Sequence, residues 1–148
     1  MARYAVRRLE GDESLSDPFA VRRAVFVDEQ DVPEDLEMDG KDTDATHFVV
    51  RDTARDEPVG TARLRFPGEE TGKVERVAVL RHYRGEGIGR RLMRAVESEV
   101  RDRGGSRLRL DAQTHVEGFY EKLGYETVSD EVFFDAGIPH VEMVKRLE

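Results

Sequence analysis

Cysteine is absent from the 148 residues of this sequence. Without thiols the chain can form no disulfide bond, no thiolate nucleophile and no cysteine-ligated zinc or iron–sulfur cluster. Long apolar runs are absent as well. None approaches the roughly 18 residues of a membrane span, and the first residues lack the apolar core of a signal peptide. We therefore predict a cytoplasmic protein whose chemistry relies on other side chains.

Lysine is scarce, since only four of the 24 basic residues are lysines. Acidic residues number 32, so the formal net charge is -8. A surface with this balance repels polyanions, which argues against nucleic acid as a partner. The acidic, lysine-poor composition suggests the hypothesis of a salt-adapted (halophilic) cytoplasm, although a high-GC codon bias would favour arginine equally.

Apolar residues that recur with a period of two or of about 3.6 define the order of strands and helices. The chain has the length of one domain and contains no repeat or linker, so we predict a single domain over residues 1–148. The order β-α-(α)-β-β-β-α-β-α-β-β predicts an α/β (α+β) fold around a mixed sheet of about seven strands. The predicted strands are 4–9, 46–51, 59–66, 74–79, 108–112, 125–134 and 140–146, and the predicted helices are 14–30, capped by Ser14 or Ser16, 88–103 and 116–123, with a short helical turn inside the acidic loop 31–44.

A glycine-rich turn joins the strand at 74–79 to the next helix, with the residues Arg84, Gly85, Glu86, Gly87, Ile88 and Gly89. A helix start offers unpaired backbone N–H groups, and glycines let a phosphate or pyrophosphate come close to them. The dinucleotide-binding motif needs a glycine where Arg90 stands, and the P-loop needs Gly-Lys-Ser/Thr, so neither fits. The alternative is a turn whose glycines serve the backbone conformation only.

The spacing Val79-x-x-x-x-Arg84-Gly85-x-Gly87-x-Gly89 resembles the signature of the GNAT superfamily of N-acetyltransferases. The run from Phe119 to Tyr125 resembles the second signature of that family. Further segments resemble its ElaA-like branch, so that the resemblance extends over nearly the whole chain. They are VFVDEQ at 25–30, AQTH at 112–115, and GIPH at 137–140 with Met143.

This resemblance implies acetyl-CoA as the co-substrate, with its pyrophosphate on the amides of the glycine loop, and no metal. It implies a twisted sheet with helices on both faces, in which the strands at 74–79 and 108–112 splay apart to hold the pantetheine arm. It also implies that the Val77 N–H binds the oxyanion that develops when an amine attacks the thioester. Ala78 and Val79 would pair with the pantetheine amides.

Tyr120 stands at the family's general-acid position. A phenol has a pKa of about 10 and a thiol about 8.5, so full proton transfer is uphill by roughly 2 kcal/mol. Hydrogen bonding to the departing thiolate is therefore an alternative role for this hydroxyl. The structural alternative is a core aromatic that packs beside Phe119.

Three side chains are candidates for the base that deprotonates the amine. Glu75 lies on the strand where family members carry such a carboxylate, and strand alternation puts it on the face opposite to Val74, Arg76 and Ala78. Its structural alternative is an ion pair with an arginine. Glu29 and His115 are the other candidates, and both are predicted to lie at the substrate-binding end of the site.

Two charged patterns have competing interpretations. The acidic residues Glu29, Asp31, Glu34, Asp35 and Glu37 suggest a wall that attracts a cationic amine, or simply a solvated face. Four residues, His47, His140, Asp39 and Asp44, match no known spacing of metal ligands, so we predict no metal.

Together these features predict an N-acetyltransferase that moves an acetyl group from acetyl-CoA to a primary amine by direct attack in a ternary complex. One alternative is a non-catalytic acyl-CoA-binding or sensor domain. Another is an acyltransferase that uses a longer acyl group or a hydroxyl acceptor. We expect no membrane partner, and the late strands are candidates for forming a homodimer.

Overall fold

The computed structural model describes residues 3–68 and 70–147. Within this part of the chain, eight strands form one mixed sheet in the order β1-β2-β3-β4-β5-β8-β6, with β7 paired to β8. Neighbouring strands are antiparallel except for β4 and β5, which are parallel. The strands are β1 (Tyr4–Glu10), β2 (Thr46–Asp52), β3 (Glu57–Arg65), β4 (Thr71–Val79), β5 (Arg107–Gln113), β6 (Glu126–Thr127), β7 (Phe133–Asp135) and β8 (Ile138–Arg146), and the helices are α1 (Ser16–Arg22), α2 (Glu34–Glu37), α3 (Ile88–Asp102) and α4 (Glu117–Lys122).

Helices cover both faces of the sheet, as predicted. The larger core lies on the face covered by α3 and α4, where Leu92 and Val96 pack against Leu64. We call this the α3 face. On the opposite α1 face, Val21 of α1 packs against Ala78 of β4. The predicted α/β class is thus confirmed, and no helix in the described ranges is both long and apolar enough to cross a membrane.

The first predicted helix, 14–30, changes its winding halfway. It is α-helical to Arg22 and π-helical over Arg23–Glu29, and the next amide, Gln30 N–H, donates to the Val25 carbonyl five residues back. Neither predicted serine caps it, because Leu15 occupies the N-cap position and no side chain bonds the helix start. Such π-helical turns are frequent at functional sites.

The strand predicted at 125–134 is two short strands, which is why the sheet has eight strands. Residues on both sides of the intervening loop pair with β8: Glu126 lies opposite Val144, and Phe133 opposite His140. Apolar residues suggested a continuous strand, but Val128 and Val132 in the loop are about half exposed. These two apolar side chains therefore do not belong to the core.

The parallel strands β4 and β5 separate after four residue pairs. Pairing runs from Thr71 and Arg107 to Val74 and Leu110 and stops there. Beyond that point β4 continues beside β3, and β5 continues beside β8. We call this divergence the fork. The facing strand edges inside the fork carry backbone groups that need partners from elsewhere.

A β-bulge interrupts β4 inside the fork. Thr61 of β3 lies opposite Ala78 and Arg63 lies opposite Glu75, so that two residues, Arg76 and Val77, face the single residue Ala62. Arg76 has a φ of 55°. Bulges of this kind bend a strand and redirect its side chains and amides.

The bulge makes part of the predicted orientation of Glu75 wrong. Glu75 does lie opposite to Val74, which packs in the core of the α3 face, but it shares its face with Arg76 and Ala78. Strand alternation would put Glu75 and Arg76 on opposite faces, yet both lie on the α1 face. Glu75 accepts a hydrogen bond from Arg63 at 2.9 Å, and Asp39 accepts from Arg63 at 2.7 Å and from Arg76 at 3.4 Å. The extra residue of the bulge shifts the alternation by one position.

Buried arginines fasten the acidic loop to the α1 face. Arg22 and Arg63 are 1% and 0% exposed. Arg22 donates to Glu37 at 2.8 Å and to Asp42 at 2.6 Å. Arg63 donates to Asp42 at 3.0 Å and also to Asp39 and Glu75. One continuous set of ion pairs therefore joins α1, the loop after α2, β3 and β4.

We expect Arg63→Met to lower the free energy of unfolding by about 3–5 kcal/mol, because three carboxylates lose a buried cation. Urea denaturation followed by circular dichroism measures it. Arg8→Met is the matched control, since Arg8 bonds Glu99 at the surface and is 41% exposed; its loss should stay below about 1 kcal/mol. Equal losses in the two variants would contradict this account.

The same network predicts acid sensitivity. Burial alone would raise the pKa of Glu75, but hydrogen bonds from Arg65 and the charge of Arg63 outweigh it and lower the pKa from 4.5 to about 2. The stabilisation is therefore complete above pH 4.5 and disappears as the pH falls toward 2. Glu75 alone accounts for roughly 3 kcal/mol by this linkage. Urea midpoints measured from pH 6 to pH 2 should fall less steeply for Glu75→Gln than for the wild type, and parallel curves would refute the assignment.

Candidate active site

A cavity of about 940 Å³ runs through the fork and joins the two faces of the sheet. On the α3 face it is lined by the glycine loop and by Phe119 and Tyr120 of α4. On the α1 face it is lined by Gln30, Glu37 and His140, among others. Its middle lies between Val74–Val79 and Leu110–Gln113, the two arms of the fork. A long ligand could thus reach from one face to the other.

The glycine loop forms the predicted helix start. Gly87 occupies the N-cap position of α3 with a φ of 80°, and Gly85 has a φ of 85°. Both lie in the left-handed region that favours glycine. A Cβ at either position would meet no atom within 4 Å. These two glycines therefore serve the path of the backbone, and both line the cavity where α3 begins.

Gly89 has a different role, because a side chain at this position would crowd the ring of a neighbouring residue. A Cβ at this position would lie 3.0 Å from Cζ of Phe119. The Phe119 ring thus packs directly on the first turn of α3. Two sequence motifs that are thirty residues apart meet at this contact, which holds α4 and Tyr120 beside the glycine loop.

Aromatic hydroxyls and carboxylates tie the glycine loop to the sheet. The Tyr83 hydroxyl, directly before the loop, lies 2.8 Å from Asp52 and 2.7 Å from Glu57. The Tyr4 hydroxyl donates to Glu86 within the loop at 2.6 Å. The sequence gives no sign of these contacts, because no local spacing connects β1, β2 or β3 with residues 83–86.

Arg84 and Glu29, which the sequence assigned to the cofactor and the substrate, are paired with each other. The two guanidinium nitrogens of Arg84 each donate to one Glu29 oxygen at 2.7 Å. These hydrogen bonds lower the pKa of Glu29. The pair spans from the end of the π-helical segment to the glycine loop, along the cavity wall.

The three residues of β4 predicted to contact the coenzyme lie along the cavity. Val77 and Val79 pack toward the α3 face, and Ala78 belongs to the cluster on the α1 face. Their edge toward β5 has lost its partner strand, and the bulge takes Val77 out of regular register with β3. The backbone here can hydrogen-bond a ligand as a neighbouring strand would.

Tyr120 lies deep in the cavity wall on the α3 face. It is 6% exposed and packs edge-to-face against Phe119 and Tyr125, with ring centroids 5.0 Å and 5.8 Å away. No residue in the described ranges hydrogen-bonds its hydroxyl, although Tyr120 lines the cavity. Burial raises the pKa of Tyr120. The hydroxyl is thus a neutral donor that lacks a protein partner.

Three of the carboxylates that line the cavity on the α1 face are paired with arginines. Glu75 contacts Arg63 and Arg65, Glu37 contacts Arg22 and Arg76, and Asp39 contacts Arg63. Burial alone would raise the pKa of Asp39, but the hydrogen bond from Arg63 and a backbone amide hold it well below its usual range. Of the predicted acidic wall, only Glu29 and Glu37 line the cavity, and arginines compensate the charge of both.

Histidine and glutamine side chains line the same end. Gln30 and Gln113 bond each other reciprocally at 3.2 Å and 2.9 Å across the cavity. His115 is exposed in the turn Thr114–Val116, while His140 of β8 is 9% exposed. The suggested grouping of His140 with His47 fails, because His47 is fully buried and its Nε2 is 2.9 Å from the Asp42 carbonyl, which fixes it inside the core.

Comparison with known proteins identifies the class. Residues 11–147 match the family model described as an acetyltransferase (GNAT) domain. The uncharacterized N-acetyltransferase YjcF of Bacillus subtilis is 43% identical over 136 residues, which cover 92% of this chain and 95% of that protein. The crystal structure of Escherichia coli ElaA has a TM-score of 0.83 at 30% identity, with 96% of this chain and 99% of ElaA covered.

A GNAT family acetyltransferase from Elizabethkingia anophelis, solved with acetyl-CoA bound, has a TM-score of 0.75 at 16% identity, over 99% of this chain and 100% of that one. At this identity the likeness concerns the fold. The fold and the closer relatives define an acyltransferase. The chain belongs to the GNAT acetyltransferase family, which confirms the resemblance carried by its sequence motifs.

The conformation of the glycine loop leads to a binding prediction. Gly87→Ala places a Cβ in the left-handed region, at a cost of about 1–2 kcal/mol, and turns the first amides of α3. We expect acetyl-CoA to bind roughly tenfold more weakly or worse in isothermal titration. Gly104→Ala is the control, since Gly104 ends α3 with a φ of 79° and open space around it. It should lose similar stability and keep its affinity; an unchanged affinity in Gly87→Ala would contradict the loop's role.

Proposed function

We propose that this protein is an N-acetyltransferase that moves an acetyl group from acetyl-CoA to a primary amine by direct attack in a ternary complex. The observation that carries the proposal is the cavity through the fork, which opens to both faces of the sheet. A coenzyme bound from the α3 face can present its thioester to an acceptor on the α1 face. Both substrates can then be bound together, and the transfer needs no covalent enzyme intermediate. Residues 1–148 would act as one domain.

The coenzyme side follows from the local geometry. The start of α3, with its unpaired amides and positive dipole end, suits the pyrophosphate. The pantetheine amides would pair with Ala78 and Val79 along the free edge of β4. The Val77 N–H, displaced by the bulge, is then the donor for the developing oxyanion. Family membership and the acetyl-CoA bound to the Elizabethkingia protein support this choice of co-substrate.

Tyr120 would stabilise the departing thiolate through a hydrogen bond. Because burial raises the pKa of this phenol, complete proton transfer to sulfur becomes less favourable than in water. A neutral donor of this kind still stabilises a thiolate, since hydrogen bonds to charged groups contribute about 1.5–3 kcal/mol. The absence of a protein partner in the described ranges leaves the hydroxyl available for this bond.

Glu75 would have a structural part in this mechanism. A carboxyl group with a pKa of about 2 is a poor acceptor for the proton of an alkylammonium near pKa 10, with a difference of roughly 11 kcal/mol. Its arginine partners instead keep β3 and β4 in register beside the bulge. Glu29 is a poor base for the same reason, because its hydrogen bonds with Arg84 lower its pKa.

The competing sensor domain would need only the coenzyme side of the cavity. The free Tyr120 hydroxyl and the opening on the α1 face favour transfer over mere binding. Acyl groups longer than acetyl are the other alternative, and the same assay can test them as donors.

Tyr120→Phe should reduce single-turnover release of the CoA thiol by roughly 10- to 100-fold, because one hydrogen bond to a charged group is lost. A thiol-reactive chromophore with a panel of amines measures it, and the Kd for acetyl-CoA should stay unchanged. Tyr125→Phe is the control, since the buried Tyr125 hydroxyl has no hydrogen-bond partner among the described residues and the ring packs beside Tyr120. If both variants lose rate equally, packing rather than the hydroxyl matters, and release stimulated by no amine would favour the sensor.

A further inference from the structure

The acceptor end of the cavity needs a group that takes a proton from the amine. On the α1 face the carboxylates Glu37, Asp39 and Glu75 are held by arginines. Each is therefore committed to a cation before an acceptor arrives. These three are therefore poor candidates for the base, and another group that lines this end must serve if the proposed transfer takes place there; this inference rests on the proposed function.

His140 lies on the α1 face, at the acceptor end. In β8 its neighbour Val141 belongs to the core of the α3 face, so alternation points His140 the other way. His140 is also directly opposite Gln113, which reaches Gln30 at the end of the π-helical segment. Residues opposite each other in an antiparallel pair lie on the same face.

The imidazole is fixed in orientation and in tautomer. Its Nδ1 is 2.7 Å from the Ile138 carbonyl oxygen. A carbonyl only accepts, so Nδ1 carries the hydrogen and Nε2 keeps its lone pair. The Phe133 ring stacks on the imidazole at 5.9 Å with 21° between the planes. Nε2 has no hydrogen-bond partner among residues 3–68 and 70–147, and His140 lines the cavity.

His140 is also at the level of the predicted oxyanion donor. Pairing ends at Val74 and Leu110. Val77 is three residues beyond that point on β4, and Gln113, opposite His140, is three residues beyond it on β5. At the usual rise of a strand, Gln113 lies roughly 10 Å past the start of the fork, and Val77 lies roughly 7 Å past it, because the bulge gives Arg76 and Val77 the length of one ladder position. An amine between the arms could reach both the thioester carbon and Nε2, directly or through one water.

We propose that His140 is the catalytic base of this enzyme. As the amine nitrogen bonds to the acetyl carbon and the C–S bond breaks, the nitrogen loses a proton to Nε2 of His140. The sulfur leaves as a thiolate beside the Tyr120 hydroxyl on the opposite side of the fork, and it is protonated when the product departs. The proton on His140 returns to solvent through the open cavity, so the charge balances over one turnover.

The titratable groups around this imidazole come from several elements. Asp111 and Glu142 form the next pair on the same face of β5 and β8. Asp135 of β7 lines the cavity, as do Glu29 of the π-helical segment and His115 of the turn after β5. Histidine is the side chain among them that most often serves as a general base. His140 and His115 are therefore the two side chains that a pH profile must separate.

The test is kcat/KM for the best amine from pH 5.5 to 9.5, for the wild type, His140→Asn and His115→Asn, with His82→Asn as an exposed control that does not line the cavity. We expect His140→Asn to lose roughly 100-fold or more at neutral pH, with its acetyl-CoA Kd unchanged and its acidic limb displaced. His82→Asn should retain the wild-type profile. In a second variant, His140→Ala, added imidazole should restore part of the rate.

Three results would overturn the proposal. His140→Asn could keep most of its activity together with the wild-type acidic limb. Imidazole could fail to raise the rate of His140→Ala while that variant still binds acetyl-CoA with wild-type affinity. The acidic limb could move in His115→Asn instead. A wild-type enzyme that releases no CoA thiol with any amine would overturn the proposed function itself, which separates the two failures.

Discussion

The loss of hydrogen bonding between β4 and β5 beyond Val74 and Leu110 is the constraint on which the rest of the structure depends. A parallel pair would normally continue along both strands and close the sheet. Here the arms diverge, and each stays bonded to its outer neighbour. Two unpaired edges then face a cavity that crosses the sheet. A ligand chain with its own amides can satisfy these edges, so the missing pairing and the acyltransferase chemistry have one physical origin.

The two faces of the sheet are stabilised in different ways. The α3 face carries the larger core, and the contact between Gly89 and Phe119 brings the glycine loop and Tyr120 together there. The α1 face is held by charge, through Arg22 and Arg63 and their carboxylate partners. Buried ion pairs are weak evidence for stability but leave little freedom of geometry, since any unpaired member is costly. Such a face can hold a wide opening above two small apolar clusters, one around Val49 and one around Ala78.

Periodicity predicted the order of most elements and the approximate limits of α3 and β5, because each buries one regular face. The limits of β2 and β3 followed from the polar turn between two apolar runs. Periodicity failed where register or winding departs from an ideal element. The bulge puts Arg76 on the same face as its neighbour Glu75, and the winding of the first helix changes to π after Arg22.

The glycine loop and α4 could be predicted, because a sequence motif marks each of them. The ion pairs of the site could not be predicted, because a carboxylate in the sequence gives no sign of the arginine that contacts it. Arg63 lies 24 residues from Asp39 and 12 from Glu75, yet it contacts both. The available lone pair of His140 depends likewise on a hydrogen bond to Ile138, which composition and spacing do not encode.

The central claim is that the fork holds the thioester between its arms, with the coenzyme on the α3 face. A crystal structure with bound acetyl-CoA tests it most directly. The account predicts the pyrophosphate at the first amides of α3 and the thioester carbonyl oxygen within hydrogen-bonding distance of the Val77 N–H, with its carbon open toward His140. A coenzyme bound outside the fork, or a thioester that points away from the α1 face, would contradict it.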